Sequence, residues 1–410
     1  MSRSRAHPAW VPAAIVAGLL ATMLVIAGCG GDDDDSGGTS GAPTEVGAGE
    51  GQLNLIAWPG YVADPWQSDF EQQTGCKINL KEAGTSSEMV DLMRSGQYDG
   101  VSASGNASLR LVAGDDVDPV NLDLVPNYET IFEDLKNQPY NTVDGTPYGI
   151  PHGRGANLLM WNSDEVTPAP TSWGVILDPN QASKYQGKIS VYDDSVYIAD
   201  AAVYLKAHNP DLGIDNPYEL DEEQFNAAVD LLKQQKANVG EYWADAAKQI
   251  QSFANSDVVV GTTWQYQYFS LLAEKAPIEA PGPNQGFVPE EGATGWSDTW
   301  MISSEAKHPN CMYRWMDFII SPLANAEVAQ YFGEAPAQSK SCEADTLAQA
   351  AKADELPPDP QFCTNYHADD PAFWDKVYYW ITPLADCGDD RGEVCKDNNE
   401  WDAAWTEIKG

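Results

Sequence analysis

The chain has 410 residues, enough for two domains with separate cores, and its composition is globular, with 43% apolar and 21% charged residues. Acids outnumber bases 62 to 23, a formal charge of −39. That balance argues against nucleic acid or an anionic lipid surface as the main partner and leaves solubility, a saline habitat or a cationic partner as its meaning.

The first 28 residues read as a secretory signal. Arg3 and Arg5 precede an apolar run, WVPAAIVAGLLATMLVIA (10–27), and Gly28-Cys29 follows. The stretch Val25-Ile26-Ala27-Gly28-Cys29 resembles the bacterial lipobox, which implies cleavage before Cys29, lipid on the new N-terminal cysteine and stable membrane anchoring. No later segment approaches the roughly 20 apolar residues that a spanning helix needs. Residues 29–52 hold four consecutive aspartates, one branched aliphatic residue (Val46) and no aromatic ring. Burial cannot offset the entropy of ordering such a stretch, so an acidic, disordered tether is expected.

The ordered body opens with a strand pattern at 53–58, broken by PGYVADP. A helix over about 65–73 stops at Thr74-Gly75 and a second strand covers 76–82, the start of a parallel α/β unit. Ser86 or Ser87 caps the next helix, which ends at Gly96. Tyr98 to Val101 then leads into SASGNAS (102–108), a loop of small residues at a strand's carboxyl end, where open α/β sheets bind ligands. YGIPHGRGANLLMWN (148–162) reads as a crossover into a second α/β run: strand 187–194, helix 198–208, an amphipathic segment around 222–237 and strand 257–264. TGWSDTWMIS (294–303) leads back, and HPNCMYRWMDFII (308–320) is helical by its apolar spacing. The expected division is 53–153 with 297–335 as lobe 1, 154–296 as lobe 2, and 336–410 as a tail packed on the lobes, the second for preference. Two crossings between lobes suit a hinged cleft.

Apart from Cys29, six cysteines remain, an even number in an exported chain. Six allow 15 pairings. Local spacing favours Cys387 with Cys395 and Cys342 with Cys363, leaving Cys76 for Cys311. No CxxC occurs and the five histidines are scattered along the chain, so neither a metal nor a cofactor is expected.

Four predicted strand ends carry aromatic or acidic residues: Trp58 and Tyr61 in AWPGYV, Asp193 and Asp194 in SVYDDSVY, Trp264 and Tyr266 in TTWQYQY, and Trp296 and Asp298 in GWSDTW. In an extended segment Trp296, Asp298 and Trp300 share one side, an odd face for a core. Ring faces attract cations by about 0.5 to 2 kcal/mol and also cover a methylene stem. A desolvated carboxylate adds directional hydrogen bonds to an ammonium group. The combination selects organic cations. Blander roles compete: Asp193 as a helix cap before IADAAVYL, Trp300 as core, and Tyr378, Tyr379 and Trp380 as tail packing rather than one end of a cleft.

The ordered set L-I-A-W-P-G-Y-V, Y-D-G-V-S-A-S, G-K-I-S-V-Y-D-D, V-G-T-T-W and G-W-S-D-T-W resembles the spermidine/putrescine-binding proteins of bacterial ABC importers, over about 53–335. The resemblance implies a two-lobed type II periplasmic-binding-protein fold that shuts on a polyamine and presents it to a membrane permease. By position, Trp58 and Tyr61 resemble the aromatic wall of the first lobe and Ser104 its small hydroxyl. Asp194, Trp264, Trp296 and Asp298 resemble the acids and indoles around the amine groups. The departures are Pro59 and Gly60 in place of a hydroxyl and an acid, Asn106 in place of Tyr, Tyr197 in place of the Glu of spermidine binders, and Glu334 in place of Tyr. The last two read together as a carboxylate moved from 197 to 334.

A lipid-anchored, monomeric receptor at the outer face of the cytoplasmic membrane, and not an enzyme, is therefore expected. The alternatives are a receptor for another organic cation, or a secreted hydrolase using Asp194 and Asp298 as a carboxylate pair. No GxSxG, HExxH or phosphate loop supports the hydrolase, and a plain adhesion module would not need a hinge.

Overall fold

In the computed structural model, which describes residues 43–280 and 288–410, the first strand is β1 (Gln52–Ala57). It is followed by α1 (Trp66–Thr74), β2 (Lys77–Glu82), α2 (Ser86–Met93), β3 (Gly100–Ser104) and α3 (Gly105–Ala113). Helix α1 buries Trp66 and Phe70 and stops at Gly75, whose φ of 74° is readily reached by glycine. A short hairpin, β4 (Thr142–Val143) and β5 (Thr146–Pro147), precedes β6 (Ile150–Ala156). The chain continues through β7 (Leu158–Asn162), the one-turn helices α4 (Gly174–Leu177) and α5 (Pro179–Ala182), β8 (Ile189–Tyr192), α6 (Ile198–His208) and α7 (Glu222–Gln235). Next come β9 (Val239–Trp243), α8 (Ala246–Ala254), β10 (Val260–Thr263), α9 (Gln265–Ala273) and β11 (Ile278–Glu279). The return strand is β12 (Ala293–Ile302), followed by α10 (Pro309–Ile319), α11 (Pro322–Phe332), β13 (Ala335–Pro336) and α12 (Ala344–Ala353). The tail adds the one-turn α13 (Phe362–Asn365) and α14 (Pro371–Trp374), then β14 (Val377–Tyr379) and α15 (Asn398–Lys409).

Two sheets give two lobes. The first runs β13-β6-β12-β3-β1-β2, with β14 also paired to β12, and the second runs β11-β7-β10-β8-β9. β1 is parallel to β2 and β3, whereas β12 is antiparallel to β3 and β6. Each sheet has its own core: Leu55, Ile56, Phe70, Val101, Trp300 and Trp315 in the first lobe, and Leu159, Ile189, Val191, Val260, Ala228 and Trp243 in the second. The expected two-lobed α/β fold is the fold found.

The outgoing crossing is Asn157, between β6 and β7. Its backbone N–H donates to Thr294 O at 2.8 Å and its side-chain amide to Thr294 Oγ1 at 2.6 Å, so outgoing and returning strands are laced at one level. Strand pairing carries β6 on to Ala156 and starts β12 at Ala293, which puts the crossings at Asn157 and before Ala293 rather than at 153/154 and 296/297. The tail touches both lobes. β14 extends the first sheet through β12, while α15 lies on α7 with Lys233 and Glu407 3.1 Å apart and buries Trp401 and Trp405 in the second core.

The secretion signal (1–28), the lipidation candidate Cys29 and residues 30–42 lie outside the described residues. The C-terminal part of the expected tether is docked. Gly47 N–H donates to Asn310 Oδ1 at 2.6 Å, and Glu50 accepts the amides of Asn310 and Cys311 at 3.0 and 2.9 Å. Those amides open α10, where unpaired N–H groups and the helix dipole favour a carboxylate. Three disulfides join Cys76 to Cys311, Cys342 to Cys363 and Cys387 to Cys395. Among the described residues no helix is long and apolar enough to cross a membrane.

Candidate functional site

A cleft of about 400 Å³ opens where the strands of both sheets end. From the first lobe it takes Trp58, Pro59 and Gly60 after β1, Gly84 after β2, Ser104 at the end of β3, Trp296 and Asp298 on β12, and Tyr331 and Phe332 closing α11. The second lobe adds Ala244 to Ala247 after β9 and Trp264 and Tyr266 after β10; the tail adds Trp380. Trp58-Pro59-Gly60-Tyr61 is a tight turn, with Tyr61 N–H donating to Trp58 O at 3.1 Å and Gly60 at φ 93°. Proline at the second place and a positive φ at the third are type II chemistry. The turn leaves Trp58 on the cleft and sends Tyr61 into the protein, where it is fully buried.

The rings form one connected wall. Trp380 stacks on Tyr192 with centroids 5.4 Å apart, Tyr192 meets Trp264 at 5.6 Å, Trp264 meets Trp296 at 6.3 Å and Trp296 meets Phe332 at 5.9 Å. The indole nitrogens of Trp58, Trp296 and Trp380 have no accessible area and no hydrogen-bond partner among the described residues. That of Trp264 donates to Asn157 Oδ1 at 3.0 Å. What these tryptophans offer a ligand is therefore ring carbon, the face that attracts cations and covers methylenes.

The acid at the wall is Asp298. Its Oδ1 accepts the Ser104 hydroxyl and its Oδ2 the Tyr61 hydroxyl at 2.5 Å. Burial pushes its carboxyl up to about 6, against the downward pull of those two hydrogen bonds. Tyr61 also lies 2.9 Å from Oε2 of Glu334, which is fully buried and whose carboxyl is held well above the usual range by burial first and by the nearby Asp298 charge second. A phenol has one proton. Both contacts are hydrogen bonds only if one of the two carboxyls is protonated and donates to Tyr61; Glu334, the more strongly raised of the two, holds that proton, and Tyr61 donates in turn to Asp298. The chain continues inward: Trp300 Nε1–H donates to His152 Nδ1 at 3.0 Å, so the neutral imidazole carries its proton on Nε2, 3.4 Å from Glu334 Oε1. Burial keeps His152 neutral, down to about 3. The order of protonation leaves the one negative charge on Asp298, at the cleft.

Two glycines make room for this. A Cβ on Gly155 would fall 2.3 Å from Trp296 Cζ2 and one on Gly153 2.4 Å from Glu334 Cδ, both impossible contacts. Trp264 is set by a buried relay in which Asn157 donates to Thr294 Oγ1 and Thr294 to Asp200 Oδ1 at 3.0 Å. Among the described residues no lysine, arginine or histidine lines the cleft.

The profile of the family described as bacterial extracellular solute-binding proteins matches residues 66–357. The chain belongs to that family. Among characterised relatives, this solute-binding protein is 25% identical over 297 residues to a putrescine/cadaverine-binding protein of Pseudomonas aeruginosa, an alignment covering 69% of this chain and 78% of the relative. It is 22% identical over 285 residues to the spermidine/putrescine-binding periplasmic protein of Escherichia coli, covering 68% and 76%. The solved spermidine/putrescine ABC transporter substrate-binding protein of Streptococcus pneumoniae superposes with a TM-score of 0.64 at 17% identity, over 87% of this chain and 97% of that one, which is a likeness of fold.

Of the residues singled out in the sequence, the cleft of this solute-binding protein brings together Trp58, Ser104, Trp264, Tyr266, Trp296 and Asp298, and Trp380, for which tail packing was the expectation, lines it too. Tyr61 and Glu334 stand one layer behind, joined to Asp298 by hydrogen bonds. Asp194 and Tyr197 lie elsewhere. Asp194 accepts Val196 N–H at 2.9 Å and caps the turn that leads into α6, the capping role expected of Asp193. Asp193 instead accepts Trp405 Nε1–H at 3.2 Å and pairs with Lys409. Tyr197 is buried in the second core, with Gln235 Nε2 donating to its hydroxyl at 2.9 Å. Asn106 accepts the Ser86 hydroxyl at 2.8 Å, outside the lining. Sequence reasoning passed over Asp245, Tyr331 and Phe332. The signal for Asp245 was present: VGEYW followed by Ala-Asp-Ala-Ala is a strand ending in a helix cap.

Proposed function

We propose that this solute-binding protein captures a polyamine-like organic cation between its lobes and presents it to an ABC permease, carrying the ligand unchanged. The observation that carries the proposal is Asp298: a carboxylate fixed by Ser104 and Tyr61 in a cleft walled by indole rings and lined, among the described residues, by no cationic side chain. An amino acid or other zwitterion would leave its carboxylate without a counter-charge there. A neutral sugar would leave the buried charge of Asp298 uncompensated. The names of the relatives point the same way. A monomer tethered through lipid on Cys29 fits delivery to a membrane partner, with the acidic body held off the anionic bilayer.

Titrating indole fluorescence with putrescine, cadaverine, spermidine, choline, γ-aminobutyrate and glucose tests the proposal. Saturable changes with the polyamines, and much weaker ones with the zwitterion and the sugar, are the expected result. Preference for γ-aminobutyrate or glucose would overturn it.

A further inference from the structure

Trp264 presents its ring to the cleft and its nitrogen to the hinge. Tyr192, Trp243 and Trp296 pack around the ring with centroids 5.6, 4.9 and 6.3 Å away. The edge that turns inward is held by a hydrogen bond, in which Nε1–H donates to Asn157 Oδ1 at 3.0 Å. Asn157 is the outgoing crossing between the lobes, and its Nδ2 donates at 2.6 Å to Oγ1 of Thr294, next to the returning crossing. Thr294 donates in turn to Asp200 Oδ1 at 3.0 Å. Asp200 is the third residue of α6; it is buried, and among the described residues no lysine, arginine or histidine pairs with it. The free amides in the first turn of a helix favour a carboxylate, which accounts for an acid there without a cation.

The relay has one sense. An indole nitrogen only donates, so Asn157 must face it with oxygen and face Thr294 with its NH2. Thr294 has a single hydroxyl proton, and its hydroxyl reaches Asn157 and Asp200. Asp200 accepts that proton's hydrogen bond and leaves the lone pairs of Oγ1 for the amide. Without an acceptor at 200 the proton turns to Asn157. An amide that rotates to receive it sets its NH2 against the indole N–H, two donors face to face.

We propose that Asp200 is a positioning residue for ligand capture: through Thr294 and Asn157 it holds Trp264 in the orientation that the cation meets. This goes beyond the reading of the cleft as an organic-cation site and rests on it. Asp200 itself lies outside the cleft lining and acts only through the relay. Because the relay runs through both crossings, the aim of a ligand-facing ring is tied to the hinge.

A double-mutant cycle on the whole protein tests this, with cadaverine affinity read by calorimetric titration and folding by thermal melting. Asp200→Leu keeps the size of the side chain and removes the acceptor; Thr294→Val keeps the shape and removes the hydroxyl. Each should weaken cadaverine binding by about threefold to tenfold, within the range that one ring contact with a cation spans. In a Trp264→Phe background no indole N–H remains to be placed, and either substitution should change affinity by less than about twofold. Asp200→Asn, whose amide oxygen can still accept from Thr294, should recover most of the loss seen in Asp200→Leu. Should Asp200→Leu fail to fold, the Thr294→Val cycle decides alone. Folded variants that bind as tightly as wild type, or that lose the same affinity with and without Trp264, overturn the role of Asp200. Wild-type protein that binds no amine overturns the organic-cation reading, and this inference with it.

Discussion

Asp298 is a carboxylate that the empty cleft keeps only partly ionised at mildly acidic pH, since burial holds it near 6 while Ser104 and Tyr61 support its charged form. A ligand ammonium supplies the missing counter-charge, so binding and ionisation are linked. The linkage has a definite sign: the cation selects the ionised acid, so affinity for cadaverine is flat from about pH 7 to 8 and falls by roughly tenfold per pH unit well below 6. Isothermal titration between about pH 5 and 8 measures this, and an affinity independent of pH below 6 would show that Asp298 is not the partner. Asp298→Asn should weaken binding by about 2 to 5 kcal/mol and remove the dependence. The free variant should melt no lower than wild type at pH ~8. A carboxyl whose folded value exceeds its ordinary 3.8 destabilises the fold once ionised, and the amide lifts that penalty. The buried Glu334 has the opposite fate: with its proton on, it supports Tyr61 from behind rather than meeting the ligand.

At the scale of elements, β6 and β12 carry the site between them. Gly155 gives its side of β6 to Trp296, and a methyl group there would overlap the indole at 2.3 Å, against a rigid, buried ring that cannot yield cheaply. Gly155→Ala should therefore displace Trp296, cost about 1 to 3 kcal/mol of stability and weaken cation binding together with the indole signal; thermal melting and fluorescence titration of the variant check both. Unchanged melting and affinity would mean that Trp296 is not held by this contact. Strand periodicity and breakers made β1, β3 and β12 legible, and with them Trp58 and Ser104 at the ends of β1 and β3 and Trp296 and Asp298 on one side of β12, placed with no help from distant sequence. The misplacements have physical causes. Asp193 and Asp194 are adjacent, and which of them caps the turn is decided by the docking of Trp405 and Lys409 from α15, more than 200 residues away. The cap at Asp245 was legible, but β9 ahead of it has no clean alternation and intermediate burial at most of its positions, a weak strand pattern that drew no attention to the residues after it. Glu50 docks because α10 offers it unpaired amides, a partner absent from the composition of the tether.

Across the whole molecule, buried acids outweigh the means of neutralising them, and this fixes how stability responds to pH. Burial raises Asp194 and Asp298 to about 6, Asp200 and Asp354 to about 7 and Glu327 to about 8, from ordinary values of 3.8 for the aspartates and 4.5 for the glutamate. Between the ordinary and the raised values the folded chain holds protons that the unfolded chain has lost. Unfolding then releases protons, and stability falls as pH rises. The formal charge of −39 adds repulsion in the same direction. The melting temperature of the free protein should decrease steadily from pH ~5 to pH ~8. Raising NaCl from about 10 mM to about 1 M should recover the part due to surface repulsion and leave the part due to burial, because buried groups are screened much less. A polyamine at one fixed concentration, a hundredfold excess over its dissociation constant at pH ~8, should add about 2.7 kcal/mol there and less near pH ~5, where the protonation of Asp298 weakens binding. Scanning calorimetry over that pH and salt grid decides the matter. A melting temperature that climbs with pH would mean these acids are ionised and paired in the folded chain, and the single charge shared through Tyr61 between Glu334 and Asp298 would have to be given up.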